Sequence, residues 1–146
     1  MPPVARTLRE LSLKYPLIPQ RRILLVDEEA GDRERYARQL RERGLSVRAC
    51  SSYDEGERWL ERESYDLVIV DQGGAAFEGK VIAVRSILKD RMVPVLVTTR
   101  HHYMPAYIEA MQLGAADYLE KPIPVHALLW RIDTHLPPRW LTKQAN

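Results

Sequence analysis

The chain has 146 residues, 45% hydrophobic and 29% charged, a globular composition with enough apolar material for one domain and unlike that of a disordered or fibrous chain. Its longest apolar runs, such as Ile23-Leu24-Leu25-Val26, fall far short of the roughly 20 residues of a membrane span, and the opening stretch MPPVARTLRELSLKYPL lacks the apolar core of a secretory signal. The net charge of +2 resides in the tails: residues 21–136 hold 17 basic against 19 acidic side chains, a net of −2, which is a poor electrostatic footprint for nucleic acid.

In chain order, residues 1–20 read as an N-terminal extension in which Leu8, Leu11 and Tyr15 recur at helical spacing before Pro16 and Pro19 break the chain. From residue 21 short apolar runs alternate with amphipathic stretches. The runs Ile23–Val26, Val47–Cys50, Leu67–Val70, Val95–Val97 and Tyr118-Leu119 predict strands, and continuous Val/Ile/Leu runs are the mark of a parallel sheet covered on both faces. Helices are predicted over Arg33–Arg43 (Tyr36, Ala37 and Leu40 on one face, Gly44 as stop), Tyr53–Arg62 (capped by Asp54) and Val81–Lys89 (apolar at Val81, Val84, Ile87 and Leu88). Two more are predicted over Pro105–Leu113, presenting Ile108, Ala110 and Met111 and stopped by Gly114, and over Pro124–Leu136. Five strands alternating with five helices make an α/β domain of (βα)5 type with right-handed crossovers, covering 21–136, and 137–146 form a C-terminal tail after Pro137-Pro138. The single cysteine, Cys50, cannot form an intramolecular disulfide, so a cytoplasmic protein is expected.

The polar residues fall at the strand ends. Asp27 and Glu28 follow the first run, Asp71 the third, Thr98 the fourth, and Lys121 the fifth. In a parallel sheet these positions share the carboxyl edge, where open α/β sheets bind ligands. Carboxylates gathered there repel unless a cation intervenes, and an oxygen-only set suits Mg²⁺ or Mn²⁺. Asp71 could then attack a phosphoryl donor as a nucleophile, with Thr98 and Lys121 on the equatorial oxygens. Against this stands the bland alternative that the acids merely cap helices, for which three coincidences at one edge opposite a lysine are too many.

With I-L-L-V-D27-E28-E29, Y-D-L-V-I-V-D71 and Gly79 eight residues on, V-P-V-L-V-T98-T99-R100, and L-G114-A-A-D117-Y118-L-E-K121-P122, the sequence closely resembles the receiver domain of two-component response regulators. The resemblance implies a flavodoxin-like fold with strand order 2-1-3-4-5 and Asp71 as the phosphoacceptor. It places Asp27, Glu28, Asp71 and the Gly73 backbone carbonyl at the Mg²⁺, makes Thr98 and Tyr118 the switch pair, and puts Lys121 before Pro122 through a cis peptide bond. It implies a signalling phosphoacceptor in a phosphorelay, catalysing only its own phosphorylation and dephosphorylation. The phosphodonor would be a histidine kinase or histidine phosphotransfer protein. The switching surface would be the fourth helix, fifth strand and fifth helix, which bind a partner or a second copy to form a homodimer. No direct nucleic-acid or membrane contact is implied.

Departures are Glu28 where aspartate is usual, the Gln-Gly-Gly-Ala-Ala loop after Asp71, and one extra residue in the Arg100–Met104 loop. They motivate an alternative, a phosphorylation-independent receiver-like interaction module. A flavin- or nucleotide-binding enzyme is disfavoured because the first strand ends in acids rather than a Gly-rich phosphate loop. Winged-helix regulators pair charges on the switching face; Asp117 with Arg131 resembles one such pair, while Tyr107, Leu113 and Ala127 occupy positions where that class has charges. The resemblance also implies that Gly73 and Arg100 hold positions which in the family tune water access to the phosphoryl group. His101-His102 read as a solvated loop and not as a metal site, Trp59 and Trp130 as packing residues, Trp140 as a tail anchor, and Cys50 as a small buried hydrophobe.

Overall fold

The apolar runs become five parallel strands, β1 (Arg22–Val26), β2 (Ser46–Cys50), β3 (Leu67–Asp71), β4 (Val95–Thr99) and β5 (Asp117–Glu120), ordered 2-1-3-4-5. They alternate with α1 (Ala30–Glu42), α2 (Tyr53–Arg62), α3 (Lys80–Lys89), α4 (Met104–Leu113) and α5 (Val125–His135). The computed structural model describes residues 20–137; the expected N-terminal helix and Trp140 lie outside them.

Strand side chains alternate between two faces, and each face has its own core. Leu24, Val26, Val68, Val70, Val95 and Val97 pack with Leu60, Ile82, Ala106 and Ala110 from α2, α3 and α4. Ile23, Leu25, Leu67, Ile69, Leu96 and Leu119 pack with Tyr36, Ala37 and Leu40 of α1 and Leu128 and Ile132 of α5. Every β3 residue up to Val70 is buried, which is why the strand reads as an unbroken apolar run. Gly44 and Gly114, at φ 88° and 105°, follow α1 and α4 at the expected stops.

Several helical expectations are corrected. The cap of α2 is Ser52, whose hydroxyl accepts from the Glu55 N–H at 3.1 Å, not Asp54, which lies inside the helix. Helix α3 buries Ile82, Ala83 and Ser86, while Leu88 is 79% exposed. Helix α4 buries only its small residues, Ala106 and Ala110, and leaves Ile108 and Met111 exposed. Trp130 is 61% exposed because it sits two residues from Leu128 and Ile132, on the opposite side of α5. Trp59 does pack, half-buried, with the Arg48 guanidinium 3.7 Å from its ring centre. Cys50 is fully buried, and burial pushes its thiol up to about 12.

Candidate functional site

Register brings the strand-end residues to one level. Val26 pairs with Val70 across β1 and β3, so Asp27 and Asp71, the next residues, emerge side by side; Asp71 pairs directly with Thr98 on β4. The next parallel step, Lys121 N–H to the Thr99 carbonyl at 2.7 Å, brings in the lysine just past β5. Asp27, Thr98 and Lys121 are buried and Asp71 is partly open to solvent. The Lys121–Pro122 bond is cis.

Lys121 is the hub. Its ammonium donates to Asp27 Oδ2 at 2.7 Å, to Asp71 Oδ1 at 2.8 Å, and to Asp32 Oδ2 at 3.0 Å. Burial disfavours the ammonium, but its bonds to Asp27 and Asp71 outweigh this and hold it well above the ordinary lysine range. For Asp27 burial wins: its carboxyl is raised, with the Asp71 charge adding to the effect, despite the bond from Lys121. For Asp32 burial also opposes the charge, but Lys121, Arg100 and Arg35 together hold the carboxyl below its usual range. The pocket therefore carries more anionic groups than its lysine can neutralise.

Asp32 is absent from the expected site. It is completely buried, five residues beyond Asp27 in the first turn of α1. Its Oδ1 accepts from Arg35 at 2.6 Å and Arg100 at 2.5 Å. In sequence it looks like an acid favourably placed at a helix N-terminus, and the only hint is its phase: 32, 36, 37 and 40 form one stripe. Arg100 also grips both carboxylate oxygens of Glu29, at 3.0 and 3.1 Å, tying the β4–α4 loop to the start of α1.

The loop after Asp71 is bound tightly to the acceptor. Gly73 donates to Asp71 Oδ2 at 3.0 Å, and the Tyr53 hydroxyl donates to the Asp71 carbonyl at 3.1 Å. Gly73 has φ 84°, where a side chain is strained. At Gly79 a Cβ would stand 2.2 Å from the Asp71 carbonyl oxygen, which explains the glycine eight residues after the acceptor. Gln72 is buried; its amide donates to the Gly74 carbonyl at 3.0 Å, and its oxygen accepts from the Tyr118 hydroxyl. The ring of Tyr118 meets His102 and Tyr107 edge-on, each with centroids 5.4 Å away, so His102 caps an aromatic cluster and is not merely loop.

Of the expected cation ligands, Asp27 and Asp71 converge, Gly73 is adjacent to Asp71, and Glu28 is exposed. Among the described residues no three His, Cys, Asp or Glu side chains are disposed to hold a metal; the buried carboxylates close on Lys121 instead. The donor chemistry nonetheless fits Mg²⁺, which takes one or two protein carboxylates and keeps several waters, and the surplus anionic charge favours a cation there. Asp117 pairs within the chain, with Arg131 and His135 each at 3.0 Å. No helix among the described residues is long and apolar enough to cross a membrane.

Residues 23–133 match the response regulator receiver domain family. The alginate biosynthesis transcriptional regulatory protein AlgB of Pseudomonas aeruginosa is 32% identical over 123 residues, 84% of this chain and 27% of that protein. The transcriptional regulatory protein GlrR of Escherichia coli is 33% identical over 114 residues, 78% of this chain and 26% of GlrR. The chain thus spans about a quarter of the length of these curated relatives. Among solved structures, a response regulator receiver domain protein from Clostridium thermocellum superposes with a TM-score of 0.72 at 28% identity, covering 79% of this chain and 93% of that one. The signal receiver domain of a LuxO-type repressor from Vibrio parahaemolyticus shares the fold at TM-score 0.75 and 22% identity, covering 88% and 98%.

Proposed function

The chain belongs to the response regulator receiver domain family, a flavodoxin-like signalling domain of two-component systems, and on that footing we propose that Asp71 accepts a phosphoryl group from the phosphohistidine of a kinase or phosphotransfer protein. The observation that carries the reading is the position of Asp71. It is the one pocket carboxylate partly open to solvent, it stands 2.8 Å from the Lys121 ammonium, and it pairs across the sheet with Thr98.

In the reaction an Asp71 carboxylate oxygen bonds to phosphorus as the P–N bond of phosphohistidine breaks. The electron pair leaves with the imidazole nitrogen, which takes a proton from solvent. Lys121 turns a donor from the Asp71 carboxylate to a phosphoryl oxygen, and the Thr98 hydroxyl donates to another. Asp27, Glu28, Asp71 and the Gly73 carbonyl are the groups that would hold Mg²⁺ or Mn²⁺, which when bound would neutralise the approaching donor. Water later hydrolyses the acyl phosphate and regenerates the carboxylate. The domain is thus a self-modifying phosphoprotein and not an enzyme acting on other molecules.

The added charge, about −1.5 to −2, draws Thr98 toward the phosphoryl group and shifts Tyr118 and the face formed by α4, β5 and α5. Supporting that face as the readout surface are its exposed Tyr107, Ile108 and Met111. A partner or a second copy docks there. Mass spectrometry after acetyl phosphate and Mg²⁺ tests the proposal: one phosphoryl adduct is expected on the wild type and none on Asp71→Ala. Absence of the adduct on wild type would leave the phosphorylation-independent module as the reading.

A further inference from the structure

Asp32 has no part in the reaction as described, yet it is the pocket's most fully engaged carboxylate. It could be a helix cap, but its oxygens accept from Lys121, Arg35 and Arg100, all of them side-chain cations. It could be packing, but the position heads the buried stripe of Tyr36, Ala37 and Leu40, where an apolar residue would fill the space without desolvating a charge. Replacing a buried ion pair by apolar groups is often neutral or stabilising, so stability alone does not account for a carboxylate here.

Lys121 supplies the reason. An ammonium has three N–H donors, and here they meet three carboxylates. During transfer Asp71 becomes the acyl phosphate, and Asp27 is one of the groups that would hold the cation. Asp32 neither reacts nor belongs to the cation's ligands, so it is the one partner that stays. Arg100 and Arg35 hold its other oxygen from outside, which fixes Oδ2 against the lysine.

We propose, resting on the assignment of Asp71 as acceptor, that Asp32 is a positioning residue for phosphoryl transfer, anchoring the Lys121 ammonium over the acceptor while its other two partners change. In this chain Arg100 serves the same end: it is held on Glu29 and Asp32 and braces the anchor.

The test compares phosphorylation kinetics with acetyl phosphate and Mg²⁺ in the wild type, Asp32→Asn, Lys121→Met and the double variant. Asp32→Asn should lower the rate at saturating donor by ~10- to 100-fold while the half-saturating donor concentration moves less than about threefold, the pattern of an interaction made in the transition state. In the Lys121→Met background the same change should have no further effect, whereas a residue that merely supports the fold would slow both backgrounds alike. If Asp32→Asn melts early, Asp32→Leu, which extends the apolar stripe, carries the same comparison. A normal rate in a folded Asp32 variant, or equal losses in both backgrounds, overturns the role of Asp32 alone. Failure of the wild type to take phosphate overturns the assignment of Asp71 and this role with it.

Discussion

The Tyr118 hydroxyl donates to the side-chain oxygen of Gln72, the residue immediately after the acceptor. Tyr118 belongs to β5 and packs against the α2–α4 core, whereas Asp71 opens on the α1–α5 side of the sheet. One side-chain bond therefore links the aromatic cluster of His102, Tyr107 and Tyr118 to the acceptor loop. Tyr118→Phe leaves a buried Gln72 oxygen without its donor, so a loss of about 1–3 kcal/mol is expected. Gln72→Leu in the same background should recover part of it, as read by urea denaturation.

Gly79→Ala should be among the most damaging single-methyl changes in the chain. The new Cβ meets backbone, the Asp71 carbonyl, at 2.2 Å, and backbone cannot swing aside as a side chain can. Overpacking of this kind costs about 1–3 kcal/mol. A fall in the thermal midpoint together with slower phosphorylation is expected, since the strand end that carries the acceptor must shift.

Lys121→Met strips the cation from three carboxylates, and breaking a buried pair typically costs about 3–5 kcal/mol. The loss should shrink when Mg²⁺ is added, because a cation that binds the folded pocket stabilises it by mass action. Differential scanning fluorimetry against Mg²⁺ concentration should show a steeper rise for the variant than for the wild type. Equal slopes would mean that no cation replaces the lysine.

Cys50 and Tyr65 set the alkaline limit. Both are buried, and both have their ionisation pushed up to about 12 by that burial, Tyr65 with help from the Glu63 charge. The unfolded chain releases these protons first, so above the ordinary thiol value of 9.0 the folded state binds more protons and stability falls as pH rises. For each group the slope is about 1.4 kcal/mol per pH unit between its unfolded and folded values. Consistently, iodoacetamide at pH 8 should leave the native thiol unmodified and alkylate it fully in urea.

What the sequence made legible was whatever depends on chain-local pattern. The apolar runs give the strands, and the residues that follow the first, third and fourth runs, Asp27, Asp71 and Thr98, with Lys121 two past the last, share one level because parallel strands put all their carboxyl ends on one edge of the sheet. What it hid depends on packing between elements. Asp32 looks like a helix-dipole acid until α1 is laid against the Lys121 loop. Gln72 looks like loop until Tyr118 reaches it from β5. Leu88, Ile108, Met111 and Trp130 match an apolar residue's expected place, but small residues such as Ala106 and Ala110 took the inward phase of α4, and Leu128 and Ile132 that of α5.

Arg100 and Lys121 bind the same carboxylate from opposite sides, but dissolved ions reach only one of them: the Arg100 side chain is 43% exposed and that of Lys121 is 2% exposed. At 1 M salt, where screening acts over about 3 Å, the outer clasp between the β4–α4 loop and α1 weakens while the inner one does not. Raising the ionic strength should thus loosen the tie between the β4–α4 loop and α1 while leaving the lysine's own bonds in place.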